Sequence, residues 1–134
     1  MHAGSNQQLV RRFLLQGIGG PNPDIVDDIF ASNHVLSSPE FGMDAIRGTQ
    51  VIKDAIEGFS TEAAVVSCTK ENQIEEGDWV ATSYTISEDQ YDHMGIMISR
   101  IENGKIVESH VVARTVAKEG LRAHTPQNAR RAFN

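Results

Sequence analysis

Four side chains in this chain of 134 residues could handle a proton during a reaction. The imidazole of His93 can act as a base and then as an acid near neutral pH. Tyr84 and Tyr91 could donate a hydrogen bond to a carbonyl or enolate oxygen. Glu40 could shuttle protons if burial raised the pKa of its carboxyl group. Three of them also have a plainer interpretation, with His93 and Glu40 as solvated surface residues and Tyr84 as ordinary core.

The sequence lacks the patterns that hold a metal ion or activate a nucleophile. Its five histidines have no paired spacing and no cysteine partner, so we expect no metal site. The single Cys68 lies in a predicted strand, where a buried, inert thiol is expected. The GIGG segment at 17–20 follows a predicted helix rather than a strand, so we interpret it as a helix stop and not a dinucleotide-binding turn.

The elements that must position these side chains begin with three amphipathic helices. Apolar residues recur at helical spacing over 6–18, over the short segment 23–31 and over 49–59. Glycine and proline end the first helix, because neither residue continues a helix without cost. A short strand at 34–38 and a loop at 39–48 separate the second predicted helix from the third.

The second half of the chain predicts four strands in an antiparallel meander, at 62–75, 79–87, 91–101 and 105–117. Gly104 lies in the last hairpin turn, where a positive φ is required. Three helices followed by a meander indicate an α+β layered fold. We expect a strongly curved sheet with the helices on its concave side, because this arrangement buries both sets of apolar faces.

Composition favours one folded domain over 1–134. Hydrophobic residues make up 40% and charged residues 22%, and the net charge of −6 argues against nucleic-acid binding. We expect no membrane association, because no apolar run approaches about 18 residues. The N-terminal segment does not resemble a signal peptide and a lone cysteine fits a reducing compartment, so we predict a cytoplasmic protein. The basic segment 117–134 would be a solvated tail or a clasp over an acidic surface or a pocket mouth.

Residues 8–116 resemble the SnoaL-like polyketide cyclase group. The strongest segments are EGDWVA at 76–81, a turn before a strand, and SRIENGKIVE at 99–108, the last hairpin. This group belongs to the nuclear transport factor 2-like superfamily, together with ketosteroid isomerases and limonene epoxide hydrolases. The resemblance implies a cone-shaped α+β barrel with one deep apolar pocket, a homodimer formed through the sheet, and no cofactor.

Strand alternation decides which residues can share that pocket. Tyr91, His93, Met97 and Ser99 lie on one face of their strand, which by the resemblance looks into the cone. The matching residues on the neighbouring strands are the even-numbered ones in 80–86 and the odd-numbered ones in 107–113. His110 and Arg114 then fall on the opposite face, where they could contact a second subunit.

Several positions differ from what the related enzymes carry. His110 and Arg114 occupy positions that commonly hold an aromatic residue and an acid in SnoaL-like chains. Ser38 precedes Pro39 where the isomerases have their general base, and Met97 falls near the isomerase oxyanion donor. The resemblance therefore implies the pocket, whereas the usual catalytic groups of these enzymes are replaced.

The resulting hypothesis is a cofactor-independent cyclase or isomerase that acts on a small apolar molecule carrying a carbonyl or an epoxide. His93 would move the proton, and Tyr84 or Tyr91 would stabilise the developing oxyanion. The predicted substrate contacts are Ser38, Glu40, Phe13, Phe41, Phe59, Trp79, Met97, Ser99, Ser109 and Val111. The alternative is a non-catalytic ligand-binding or dimeric scaffold domain. An epoxide hydrolase ranks lowest, because the predicted inner strand positions carry no carboxylates.

Overall fold

The computed structural model describes residues 5–62 and 67–118, except for the side chains of 59–62 and 71. Most of the basic segment, from 119 onward, lies outside the described residues. The helices are α1 (Ser5–Arg12, continued by a π-helical segment Phe13–Ile18), α2 (Val26–Ile29, preceded by a 3₁₀ turn Pro23–Ile25) and α3 (Gln50–Glu62). The strands are β1 (Phe30–Ser38), β2 (Met43–Arg47, preceded by a 3₁₀ turn Pro39–Phe41), β3 (Ser67–Glu76), β4 (Trp79–Ser87), β5 (Tyr91–Glu102) and β6 (Lys105–Ala117).

The described strands form one curved sheet of six strands in the order β2-β1-β6-β5-β4-β3. Strands β3 to β6 form the predicted antiparallel meander, and β1 joins its end by pairing in parallel with β6. The sheet is therefore mixed and mainly antiparallel. It stays open, with β2 and β3 as its edges. This architecture confirms the predicted α+β class, with helices packed on a curved sheet.

The hairpin between β5 and β6 forms where the sequence predicts it. Asn103 and Gly104 both adopt positive φ, at 52° and 76°. Two consecutive residues in this region match the twist of the flanking strands, which explains the Asn-Gly pair at this turn.

The second predicted helix is shorter than its apolar pattern indicates. It ends at Ile29, and Phe30 begins β1 with an extended backbone. Phe30 is the β1 partner of Ile106 on β6. Pairing with a distant strand therefore overrides the local helical periodicity at this residue.

The prediction of a continuous loop over 39–48 was wrong in part, because this segment contains β2. Leu36 on β1 pairs with Ile46 on β2 in antiparallel register. No residue of β2 is fully buried, and Ala45 within it has a φ of 52°. An exposed, irregular edge strand has no alternating apolar pattern, so its sequence carries little strand signal.

The core lies between the helices and the inner face of the sheet. On β4, the even-numbered residues from Val80 to Ile86 are buried, as alternation predicts. Val10, Phe13 and Leu14 from the first helix pack in the same cluster. No helix in the described ranges is long and apolar enough to cross a membrane.

Candidate functional site

A cavity of about 360 Å³ lies between the inner face of the sheet and the helices. Its wall is almost entirely apolar, and the few polar side chains on it are therefore the groups that could orient or transform a ligand. The lining residues are Phe13, Leu14, Ile18, Phe30, His34, Leu36, Phe41, Met43, Val51, Ile52, Ala55, Ile56, Tyr84, Ile86, His93, Met97, Ser109, Val111, Ala113 and Thr115.

Strand β6 runs along this cavity from a closed end to an open one. Ser109, Val111, Ala113 and Thr115 line it in succession, because alternate residues of a strand point to the same face. Ser109 is only 1% exposed, whereas Thr115 is exposed to solvent. We call the Ser109 side the closed end and the Thr115 side the rim.

His93 lies at the rim and is held from both sides of its ring. Its Nδ1 lies 2.9 Å from the Thr115 hydroxyl, and its Nε2 hydrogen-bonds to the Glu88 carboxylate. Glu88 follows β4 in the turn to β5, and its backbone N–H donates to the Tyr91 carbonyl. The sequence analysis identified His93 but not Glu88, whose turn position gave no sign that it would fold back five residues along the chain.

Tyr84 on β4 lines the cavity, and its ring lies over Gly95, which has no side chain to obstruct it. A Cβ atom at Gly95, its partner on β5, would lie 2.7 Å from the Tyr84 hydroxyl oxygen. Burial raises the pKa of Tyr84 to about 12, with smaller contributions from Cys68 and Glu40. The phenol is therefore protonated at neutral pH and can donate a hydrogen bond.

Cys68 packs against the core next to this region. Burial raises the pKa of its thiol to about 12, so the thiolate that nucleophilic chemistry needs is not populated at neutral pH. Cys68 is only partly buried, which differs from the predicted burial, and its inert role stays a prediction.

The closed end carries a histidine that the sequence analysis did not select. His34 on β1 is fully buried, and its Nε2 lies 2.8 Å from the Ser109 hydroxyl. Phe30 packs edge-on against the imidazole, with ring centroids 4.9 Å apart. Only the parallel pairing of β1 with β6 brings His34 and Ser109 together, so no local signal could have found the pair.

The segment after β1 closes one side of the cavity. The Ser38 hydroxyl donates to the Val111 carbonyl at 2.9 Å, and the Glu40 carboxylate accepts from the Ala113 backbone N–H at 2.9 Å. These two bonds fasten the turn to β6 and place Phe41, which is 56% exposed, on the cavity wall. Ser38 and Glu40 do not line the cavity themselves. Their side chains hold the turn against β6.

The other predicted contacts occupy different places. Phe13, Met97, Ser109 and Val111 line the cavity together with Phe41. Ser99 is buried but does not line it, and Tyr91 is exposed at the start of β5. Trp79 lies on the outer face, with its ring centroid 6.2 Å from that of His110, because it is odd-numbered on β4. Phe59 belongs to α3, and its side chain is outside the described part.

Within residues 5–62 and 67–118, no group of three or more histidine, cysteine or acidic side chains could hold a metal ion. The polar side chains on the described cavity wall are imidazole, phenol and hydroxyl groups.

A family model described as a SnoaL-like domain matches residues 10–109. No curated protein matches the sequence significantly. Solved structures share the fold at low identity. IdmH, a candidate polyketide cyclase from Streptomyces antibioticus, is 12% identical over 81% of this chain and 91% of its own, with a TM-score of 0.69.

Two further solved structures with the same fold are described as different enzymes. A candidate ketosteroid isomerase from Kribbella flavida is 13% identical over 82% of this chain and 78% of its own, with a TM-score of 0.66. An LEH-like epoxide hydrolase from M. tuberculosis is 14% identical over 82% of this chain and 83% of its own, with a TM-score of 0.64. One fold thus carries several chemistries, and the site residues must decide between them.

Proposed function

We propose that this chain, which belongs to the SnoaL-like domain family, is a cofactor-independent cyclase or isomerase for a small apolar molecule carrying a carbonyl group. One observation carries the proposal: an imidazole held by a carboxylate borders a mainly apolar cavity. His93 is that imidazole and Glu88 holds it. This pairing is a recurrent way to prepare a general base.

The hydrogen bonds of His93 select its tautomer. A carboxylate only accepts hydrogen bonds, so the proton of the neutral ring lies on Nε2, which donates to Glu88. The Nδ1 lone pair then faces the Thr115 hydroxyl, which donates to it at 2.9 Å. For Nδ1 to accept a proton from a substrate at the rim, the Thr115 side chain must turn to another rotamer and move its oxygen away from Nδ1.

The reaction begins when His93 Nδ1 takes a proton from the carbon next to the substrate carbonyl. The C–H electron pair forms the carbon–carbon double bond of an enolate, and the carbonyl π pair moves to oxygen. In an isomerase the imidazolium returns the proton to a different carbon. In a cyclase the enolate carbon attacks a second carbonyl carbon, and the imidazolium protonates the new alkoxide. Glu88 stabilises the imidazolium between these steps.

Tyr84 is the best-placed oxyanion donor on the cavity wall. Because burial raises the pKa of Tyr84 to about 12, its hydroxyl keeps its proton and can stabilise the enolate oxygen. Tyr91, the other predicted donor, is exposed and outside the cavity lining, which makes Tyr84 the stronger candidate.

The test uses a matched pair of histidine variants and a generic substrate. Isomerisation of 3-cyclohexen-1-one to its conjugated ketone is followed by ultraviolet absorbance. His93→Ala should lower the rate roughly 10²–10⁴-fold, the usual contribution of a general base. His110→Ala is the control, because His110 also pairs with a glutamate, at 2.6 Å, but lies on the outer face. Equal rates in wild type and His93→Ala would remove the proposed base and favour the non-catalytic ligand-binding alternative.

We also propose that the chain forms a homodimer through the outer face of the sheet. Ile96, Ile98 and Val112 lie there on β5 and β6, each between 39% and 58% exposed. Three adjacent exposed aliphatic side chains are typical of an interaction surface. Ile98→Asp should convert a dimer to a monomer in sedimentation velocity. A wild-type protein that sediments as a monomer would contradict the proposal.

A further inference from the structure

Five polar side chains line the described wall of the cavity, and four of them are joined in pairs. His34 hydrogen-bonds to Ser109 at 2.8 Å, and His93 Nδ1 lies 2.9 Å from the Thr115 hydroxyl. Tyr84 is the fifth, and no hydrogen bond joins its hydroxyl to another described residue. A phenol that is only 7% exposed usually has a partner. The Tyr84 oxygen is accessible from the cavity, so a ligand can supply that partner.

The Tyr84 hydroxyl lies in a gap on the inner face of β5. The inward positions there are His93, Gly95 and Met97, and the middle one has no side chain. A Cβ atom at Gly95 would lie 2.7 Å from the Tyr84 hydroxyl oxygen and 3.0 Å from the Ala113 Cβ. The tip of Tyr84 therefore occupies the place of a β5 side chain. A glycine inside a strand often marks such a close approach.

This gap divides the length of the cavity into a long side and a short side. The β6 partner of Gly95 is Ala113. Ser109, at the closed end, is four residues from Ala113, or roughly 13 Å along the strand. Thr115, at the rim, is two residues away, or roughly 7 Å. On the long side, Val111 and other apolar side chains form most of the wall.

We infer that Tyr84 and Gly95 form a binding site for a carbonyl oxygen in the middle of the cavity. Tyr84 donates the hydrogen bond, and Gly95 is the positioning residue that leaves room for the phenol. The substrate class that fits is a ketone with a large apolar group on one side of its carbonyl and a C–H group on the other.

The two sides of the cavity orient this ketone. Its apolar group fills the long side, and its C–H group points to His93 at the rim. This orientation rests on the proposed function, because it takes His93 as the base. The carbonyl site itself requires only that the cavity binds a ligand.

Binding of 2-acetylnaphthalene and of 2-isopropenylnaphthalene to the whole chain, measured by equilibrium dialysis, tests the site. The two probes have nearly the same size and shape, but only the ketone oxygen accepts a hydrogen bond. We expect wild type to bind the ketone roughly three- to tenfold more tightly, the gain of one net hydrogen bond. Tyr84→Phe should abolish that preference.

Gly95→Ala tests the positioning role while the phenol is still present. The added methyl group displaces the hydroxyl, so the preference for the ketone should fall toward that of Tyr84→Phe. Infrared spectroscopy gives a second readout, because a hydrogen bond lowers the stretching frequency of the bound carbonyl. We expect a lower frequency in wild type than in either variant. A general change in cavity shape would instead weaken both probes alike and leave their ratio unchanged.

Gly58→Ala is the matched control. Gly58 lies on α3, and a Cβ atom there would meet no described atom within 4 Å, so the preference should stay intact. Ala113→Val is the second variant if Gly95→Ala folds poorly by circular dichroism. Its larger side chain would reach the same gap from β6, and we expect a reduced preference.

Nuclear Overhauser contacts to bound 2-acetylnaphthalene test the orientation. The ligand methyl group should contact the ring protons of His93, and the naphthyl protons should contact the methyl group of Met97. The reverse pattern would overturn the inferred substrate class and leave the carbonyl site standing.

Three results would overturn the carbonyl site: no binding of either probe, equal binding of both by wild type, or an undiminished preference in Tyr84→Phe. A wild-type preference and carbonyl frequency in Gly95→Ala would overturn the positioning role. These measurements need no turnover. They can therefore fail while the His93 test succeeds, or succeed while it fails, which keeps the two proposals separable.

Discussion

The two faces of the sheet each carry a histidine paired with a glutamate, and the surroundings of the two pairs differ. On the inner side, His93 meets Glu88 beside an apolar cavity. On the outer side, His110 meets Glu108 at 2.6 Å. Arg100 also contacts Glu108, at 3.1 Å, which gives this carboxylate a second hydrogen-bond partner.

This difference shows that residue type alone does not specify chemistry. Hydrogen bonds from His110 and then from Arg100 lower the pKa of Glu108, which keeps that carboxylate charged and solvated on the outside. The inner pair, His93 and Glu88, instead borders a cavity in which a substrate could contact the imidazole. Within a single subunit, we expect the inner face to respond strongly to substitution and the outer face weakly.

The largest expected contrast is in packing. Phe30 is 2% exposed and packs edge-on against Phe13 with centroids 4.8 Å apart, so Phe30→Ala should lower the free energy of unfolding by about 3–5 kcal/mol. Val112 is 58% exposed on the outer face of a single subunit, so at protein concentrations low enough to keep the chain monomeric Val112→Ala should change the free energy of unfolding by less than about 0.5 kcal/mol. Urea denaturation measures both. A larger loss at concentrations where the chain is dimeric would agree with the proposed dimer, whereas a large loss that does not depend on protein concentration would contradict this contrast.

The next contrast is in pH dependence. The pKa of His34 is lowered from 6.5 to about 4, so between these values the unfolded chain takes up a proton that the folded chain does not. The free energy of unfolding is therefore highest above pH 6.5. It decreases by roughly 3 kcal/mol as pH falls to 4. Denaturation at stepped pH measures it. His34→Gln should flatten the slope in this window, and an unchanged slope would contradict the assignment.

A smaller effect is expected where the cavity wall is crowded. Gly95→Ala places a methyl group against the Tyr84 ring and hydroxyl, at a cost of about 1–3 kcal/mol in the free energy of unfolding. The cost should be smaller when the same change is made in Tyr84→Phe, which lacks the hydroxyl. Thermal unfolding of wild type, the two single variants and the double variant gives the coupling energy between the added methyl group and the Tyr84 hydroxyl. Equal costs in both backgrounds would show that the hydroxyl is not the obstacle.

The smallest effect belongs to the outer pair. Glu108→Gln removes a charged partner of Arg100 and His110, so we expect a slight loss of stability that shrinks as salt is added. Because the pKa of Glu108 is lowered in the folded state, the loss should be present at neutral pH and vanish as pH falls through that pKa. A salt-independent loss would indicate a packing role instead.

Local patterns predicted much of the fold. Strand alternation placed Val80, Thr82, Tyr84 and Ile86 on one face, and all four are buried. The limits of β4 and β6 match the predicted ones, because turn residues bracket both strands. The prediction was wrong at Phe30, which left the second helix for β1, and over β2, because strand pairing between distant segments was stronger than the local pattern there.

The site was predictable only in part. His93 could be selected because its residue type and strand position suffice to suggest a base, although its role stays a prediction. Glu88, and the pairing of His34 with Ser109, depend on a turn geometry and on a parallel contact between residues 75 positions apart. Trp79 was selected for its residue type, and its odd position on β4 placed it on the outside.

The sequence by itself determined the α+β class, the helices and the meander, since periodicity and turn chemistry act over a few neighbouring residues. Only the tertiary structure decided which polar groups share an apolar space. The burial, tautomer and hydrogen-bond partners of a side chain depend on all of its neighbours in space. Some of those neighbours are distant in sequence, as where β1 pairs with β6.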